Sequence, residues 1–108
     1  MHPPAAEEFE IDVELLSFVH RYASGPLKWD LLLFFGQNTY TRDTAEAIAR
    51  RIGRRPQTVA RELQDLAIMG VVQAHRLSGS AVFALAPSPK LRDTLSRFVA
   101  HTQTQALA

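Results

Sequence analysis

The feature that most restricts the fold of this 108-residue chain is the short connection around Gly53. Two helical patterns meet there with only Gly53, Arg54 and Arg55 between them. On the near side, Ala45, Ile48, Ala49 and Ile52 recur at helical spacing; on the far side, Val59, Leu63 and Leu66 do. Asp43 is the expected N-cap of the first helix, with Glu46 three residues on. Gly53 suits its left-handed stop. Pro56 opens the second helix, where its missing N–H has no partner to lose, and Gly70 ends it. Two short helices joined by three residues that include a glycine read as a helix-turn-helix, over about 44–69.

The rest of the chain is arranged around this unit. A first helix is expected over about 7–22, with one apolar stripe of Ile11, Leu15, Phe18, Val19 and Tyr22. A second stripe, Phe9, Val13 and Leu16, lies on the other side. A surface helix needs only one apolar face, so two suggest burial on both sides. Ser24-Gly25-Pro26 breaks the pattern. Leu27 to Phe35 is apolar almost all round and reads as the central helix of the core, ended by Gly36-Gln37-Asn38. Residues 71–76 and 81–86 read as strands joined by a turn at Leu77 to Ser80, a hairpin spanning about 71–86. Ser88-Pro89 caps a last helix over about 89–102, striped by Leu91, Leu95, Phe98 and Val99, with a loose end expected beyond Thr102. The fold class expected is mainly α with a small β-hairpin, in a single domain over 1–108.

Composition narrows the chemistry. Hydrophobic residues make up 46% and charged residues 21%, enough for one core at this length. The absence of cysteine removes disulfides, thiolate zinc sites and thiol nucleophiles together. None of His2, His20, His75 and His101 has a partner at metal-ligand spacing. No Ser/His/Asp nucleophile pattern and no phosphate-binding glycine loop occurs. The expectation is therefore a non-enzyme with no cofactor and no metal. The longest apolar run, Leu31 to Phe35, is far too short for a membrane span. With no signal-peptide pattern at the N-terminus, a cytoplasmic location is expected.

Net charge is only +1, but its distribution is uneven. The first 20 residues carry five acids and no lysine or arginine, whereas residues 42–61 carry six arginines. A basic block of that kind suggests a local anionic partner.

The stretch AEAIARRIGRRPQTVARELQDLAIMGVV resembles the helix-turn-helix of winged-helix bacterial regulators of the ArsR and MarR type. The residues that carry the likeness are Gly53, Thr58, Val59, Arg61, Leu63, Leu66, Gly70, Val71 and Val72. The resemblance implies a winged helix-turn-helix with flanking N- and C-terminal helices, the hairpin serving as the wing. It also implies a DNA-binding transcriptional regulator that works as a homodimer on duplex DNA. In such a reading the outer face of the second helix presents Gln57, Arg61, Gln64 and Ile68, with Thr58 beside them. Arginine pairs with guanine, and glutamine with adenine, in the major groove. Arg54, Arg55 and Arg42 would hold phosphates, with Arg76 at the wing. The flanking helices would build the dimer through Phe9, Val13, Leu16, Leu95 and Phe98. The sequence departs from the family in three ways. Arg55 stands where a capping Ser or Thr is usual. The wing turn carries no basic residue. Cysteine metal sensors are absent, so metal sensing is not implied. A small-molecule effector beside Trp29 has no support in the residues. The alternative at this point is a winged-helix interaction module without DNA binding, for which Glu62 and Asp65 speak, since both would repel phosphate.

Overall fold

The computed structural model describes residues 12–107, with side chains through Gln103. The elements in order are α1 (Val13–Tyr22), α2 (Pro26–Gln37), β1 (Arg42–Asp43), α3 (Ala45–Ile52), α4 (Pro56–Ile68), β2 (Val72–Leu77), β3 (Ser80–Leu85) and α5 (Pro89–Leu107). The expected helix over residues 7–11 and Phe9 lie outside the described residues. No helix among the described residues is long and apolar enough to cross a membrane.

The core forms where the apolar stripes converge. Leu31, Leu32 and Phe35 of α2, Ile48 and Ala49 of α3, and Val59, Leu63 and Leu66 of α4 are all fully buried. As expected, α2 is the central helix, buried on several sides, with Trp29 and Leu33 packed partly against the same cluster. The strands form one antiparallel sheet in the order β1-β3-β2. Val72, Phe83 and Leu85 bury the base of the hairpin, while β2 from Gln73 onward is exposed and projects into solvent.

Both helices of the central unit stop as the glycines predict. Gly53 adopts φ +70 and Gly70 φ +83, a region in which a Cβ is strained. After α4 the N–H of Val71 donates to the carbonyl of Leu66 (2.9 Å) and that of Gly70 to Ala67 (3.1 Å). This double bond pattern is a Schellman stop, and buried Val71 and Leu66 supply its apolar contact.

Several local expectations are corrected. The N-cap of α3 is Thr44, not Asp43: its hydroxyl accepts from the N–H of Ala47 at 3.2 Å. Asp43 instead belongs to β1, opposite Phe83, and its carboxylate accepts from the N–H of Thr44. Glu46 therefore falls one position short of the capping-box site. The hairpin turn is two residues, not four. Ser78 and Gly79 both have positive φ (51 and 83), and Leu77 pairs with Ser80. That is the tight turn whose twist matches the strands, and it shifts each strand by one residue. The last helix continues to Leu107, since no proline or glycine interrupts it. Its start at Ser88 is as expected, the hydroxyl accepting from the N–H of Leu91 at 3.2 Å.

Leu95 and Phe98 are also corrected. They are 0% and 1% exposed in the chain's own core, not on a surface that a partner could cover. Phe98 packs against Trp29 edge-on at 4.9 Å and against Phe18 at 6.0 Å, so α5 faces inward onto α1 and α2. Charge adds to this docking. Asp12 caps α1 by accepting from the N–H of Leu15, and Arg97 of α5 donates to both Asp12 and Glu14. The hydrogen bond from the Leu15 N–H holds the Asp12 carboxyl below its usual range, against the opposing effect of burial and with help from Arg97.

Gly36 does not end α2; the helix runs through Gln37, and Asn38 closes it by donating to the carbonyl of Phe34 at 2.9 Å. The glycine is there because α5 passes close by. A Cβ at this position would sit 2.4 Å from Cγ2 of Val99. Gly36→Ala should therefore lower stability, although helix propensity alone would raise it by about 1 kcal/mol. Overpacking of this kind costs ~1–3 kcal/mol. Urea unfolding of the variant measures the sign, and the loss should shrink in a Val99→Ala background. A more stable Gly36→Ala protein would show that the helices do not approach so closely.

Candidate nucleic-acid interface

Apolar spacing sets which side of α4 faces water. Val59, Leu63 and Leu66 fill the core, which turns Gln57, Arg61, Gln64 and Ile68 outward as one exposed stripe. Thr58 is exposed beside it in the first turn. Ile68, at 86% exposure, ends the stripe with an apolar surface. Arg55 is the N-cap of α4 and makes no side-chain cap, so the first N–H groups of the helix are left without one. The side chains of Arg55 and Arg61 have no ion-pair or hydrogen-bond partner among the described residues.

The other arginines are less free. Arg54 donates to Asp30 of α2, which commits one of its nitrogens inside the chain. Arg51 bonds Asn38 at 3.3 Å and lies 4.8 Å from the Phe34 ring centre, so it is tied to the end of α2. Arg76 donates to the carbonyl of Gly79 at 3.2 Å and braces the hairpin turn. Arg42 is exposed on β1, opposite Ala84, whereas Arg76 on β2 is opposite Ala81. These two therefore lie on opposite edges of the sheet, and the fold does not bring them together.

Reading the sequence missed two features here. The first is Lys28 of α2, which donates to Glu62 and, at 3.3 Å, to Asp65. Its hydrogen bond to Glu62 holds the ammonium above the ordinary lysine value, against the effect of burial and with help from Asp65. The available signal was a lysine inside an apolar helix. The second is Tyr40, 87% exposed, with the Arg92 guanidinium 5.9 Å from its ring. Nothing in its neighbourhood marked it.

The Trp29 ring packs edge-on against Phe98. A shallow cavity of about 400 Å³ lies between α1 and the start of α5, lined by Phe18, Tyr22, Ser88, Lys90 and Leu91 among others. Among the described residues no group of three or more His, Asp or Glu could hold a metal ion.

No protein-family model matches the chain. No curated protein sequence matches it either. Solved structures do. The AntR antimony-specific transcriptional repressor superposes with a TM-score of 0.68 at 14% identity, over 100% of this chain and 98% of that one. The fold is a winged helix-turn-helix. Within it α3 and α4 form the helix-turn-helix, β2 and β3 form the wing, and α1 and α5 are the flanking helices. The homodimeric winged helix-turn-helix DNA-binding domain of Mb0332 from Mycobacterium bovis, a possible ArsR-family regulator, gives a TM-score of 0.56 at 20% identity, over 98% and 88% of the two chains. A predicted DNA-binding transcriptional regulator from E. coli gives 0.62 at 12% identity, over 89% and 96%. At these identities the likeness is one of fold.

Proposed function

We propose that this winged-helix chain is a cytoplasmic, homodimeric transcriptional regulator that reads duplex DNA through α4. The observation that carries the reading is the free face of the recognition helix. Gln57, Thr58, Arg61 and Gln64 are exposed along it, while both acids of the same helix are held by Lys28. Arg61, Gln57 and Thr58 read base edges near the helix N-terminus. Arg55 and Arg54 hold phosphates at the start of the helix, with Arg42 and Arg76 at the two edges of the sheet. A twofold dimer sets the two recognition helices about 34 Å apart, one turn of DNA.

The test is fluorescence anisotropy of the purified protein on mixed-sequence duplex DNA over a salt series. With four candidate phosphate contacts per protomer, affinity should fall by roughly 10³- to 10⁵-fold between about 50 and 200 mM salt. No binding at low salt would overturn the reading. At a preferred site, Arg61→Ala should weaken binding by ~1–3 kcal/mol and relax the choice of base there. An equal loss on every DNA sequence would leave Arg61 as a phosphate contact only.

A second reading, an interaction module for another protein, draws on one observation: Val13 and Leu16 of α1 are exposed. A second copy of the chain would cover the same residues, so the oligomeric state separates the two readings.

A further inference from the structure

Glu62 and Asp65 are the two acids of α4, and each follows directly on a residue of the DNA-facing stripe, Arg61 and Gln64. They stand three apart, neighbours on one helix surface, where like charges repel. Left alone they would set two negative charges beside the groove-reading side chains. Lys28 meets both. Its side chain is 12% exposed, against 25% for Glu62 and 51% for Asp65, so it approaches from the core side of the helix and stays behind it. A lysine suits this place because its ammonium is a compact charge with three donors, able to serve two carboxylates at once.

We propose that Lys28 is a positioning residue for DNA recognition: from behind the recognition helix it balances Glu62 and Asp65 and makes the outer face of α4 acceptable to phosphate, without touching DNA. This rests on the DNA-binding reading above. Two consequences separate it from a direct contact. Loss of Lys28 should weaken binding to all sequences, because it unmasks the acids. It should leave the salt slope nearly unchanged, because no phosphate contact is lost. Removal of the acids should then restore what loss of the lysine took away.

The experiment compares the wild-type chain, Lys28→Met, and Lys28→Met/Glu62→Gln/Asp65→Asn on one mixed-sequence duplex by anisotropy. Lys28→Met should bind about tenfold more weakly, the scale of one to two unscreened charges acting over a few ångströms of water. The triple variant should bind at least as tightly as the wild type. Thermal melts accompany each variant. Where Lys28→Met fails to fold, the triple variant, which holds no unpaired buried charge, carries the test by itself. A triple variant that stays weak would mean that Lys28 meets phosphate directly, and would overturn the inference. So would a folded Lys28→Met protein with wild-type affinity. If the wild-type chain itself binds no DNA at low salt, the DNA reading falls first and the inference falls with it; the two failures are read from different samples.

Discussion

Phe98→Ala is expected to cost about 3–5 kcal/mol of folding stability, the range for a large aromatic removed from a packed core. The ring is 1% exposed and packs against two other helices at once. Trp29 of α2 meets it edge-on at 4.9 Å, and Phe18 of α1 lies at 6.0 Å with its own neighbour Tyr22 at 5.1 Å. Aromatic pairs in this geometry add ~0.5–1.5 kcal/mol beyond the area they bury. A domain of this size has ~5–15 kcal/mol in all, so the variant should sit near the edge of folding at 37 °C. Urea unfolding by fluorescence measures it, with Trp29 as the probe. A loss under about 1 kcal/mol would mean that Phe98 is on a surface that relaxes, as an interface residue would be.

Phe98 also shows what the sequence could and could not reveal. Its apolar stripe on α5 was visible, because period and helix are local properties. Whether that stripe packs on its own domain or on a second copy is a long-range fact, and hydrophobic spacing is the same in both cases. The helix-turn-helix was legible for the opposite reason. Gly53, Pro56 and Gly70 act through their own backbone, so each could be placed before any contact was known. Thr44 and Asp43 mark the limit of that reasoning. Both are capping residues, and only the two-residue pairing of β1 with β3 decides between them. A strand so short leaves no alternation to read.

The candidate site divides in the same way. The exposed stripe of α4 followed from the buried positions of Val59 and Leu63. The pairing of Arg54 with Asp30, 24 residues away, and of Lys28 with Glu62, 34 away, did not. The acids of α4, which argue against DNA in one dimension, are paired in three by Lys28 on another helix. A reading of local charge therefore undercounts how well the face suits an anion.

On the proposed homodimer reading, Leu16→Glu is expected to separate the two copies while leaving the protomer folded, and to weaken DNA binding by about 10²- to 10⁴-fold, the advantage that linkage of two half-sites provides. The argument begins with α1. Phe18 is buried against α5, whereas Leu16 is 56% exposed and Val13 70%. These two stand three residues apart and so share a side of the helix. The acids that flank them, Asp12 and Glu14, are held by Arg97, which leaves an apolar strip between occupied charges. Under the homodimer reading that strip meets its own copy across a twofold axis. A glutamate then appears twice at one interface, facing apolar side chains, and a charge buried without a partner costs several kcal/mol. In the free protomer the same glutamate points into water, so the melting temperature at low concentration should hardly move. Sedimentation velocity gives the oligomeric state, and anisotropy gives the affinity and its salt slope, which should fall by about half as one set of phosphate contacts is lost. A Leu16→Glu protein that remains dimeric would place the interface elsewhere. A wild-type chain that sediments as a monomer would give the strip on α1 to another protein and favour the second reading of this winged helix.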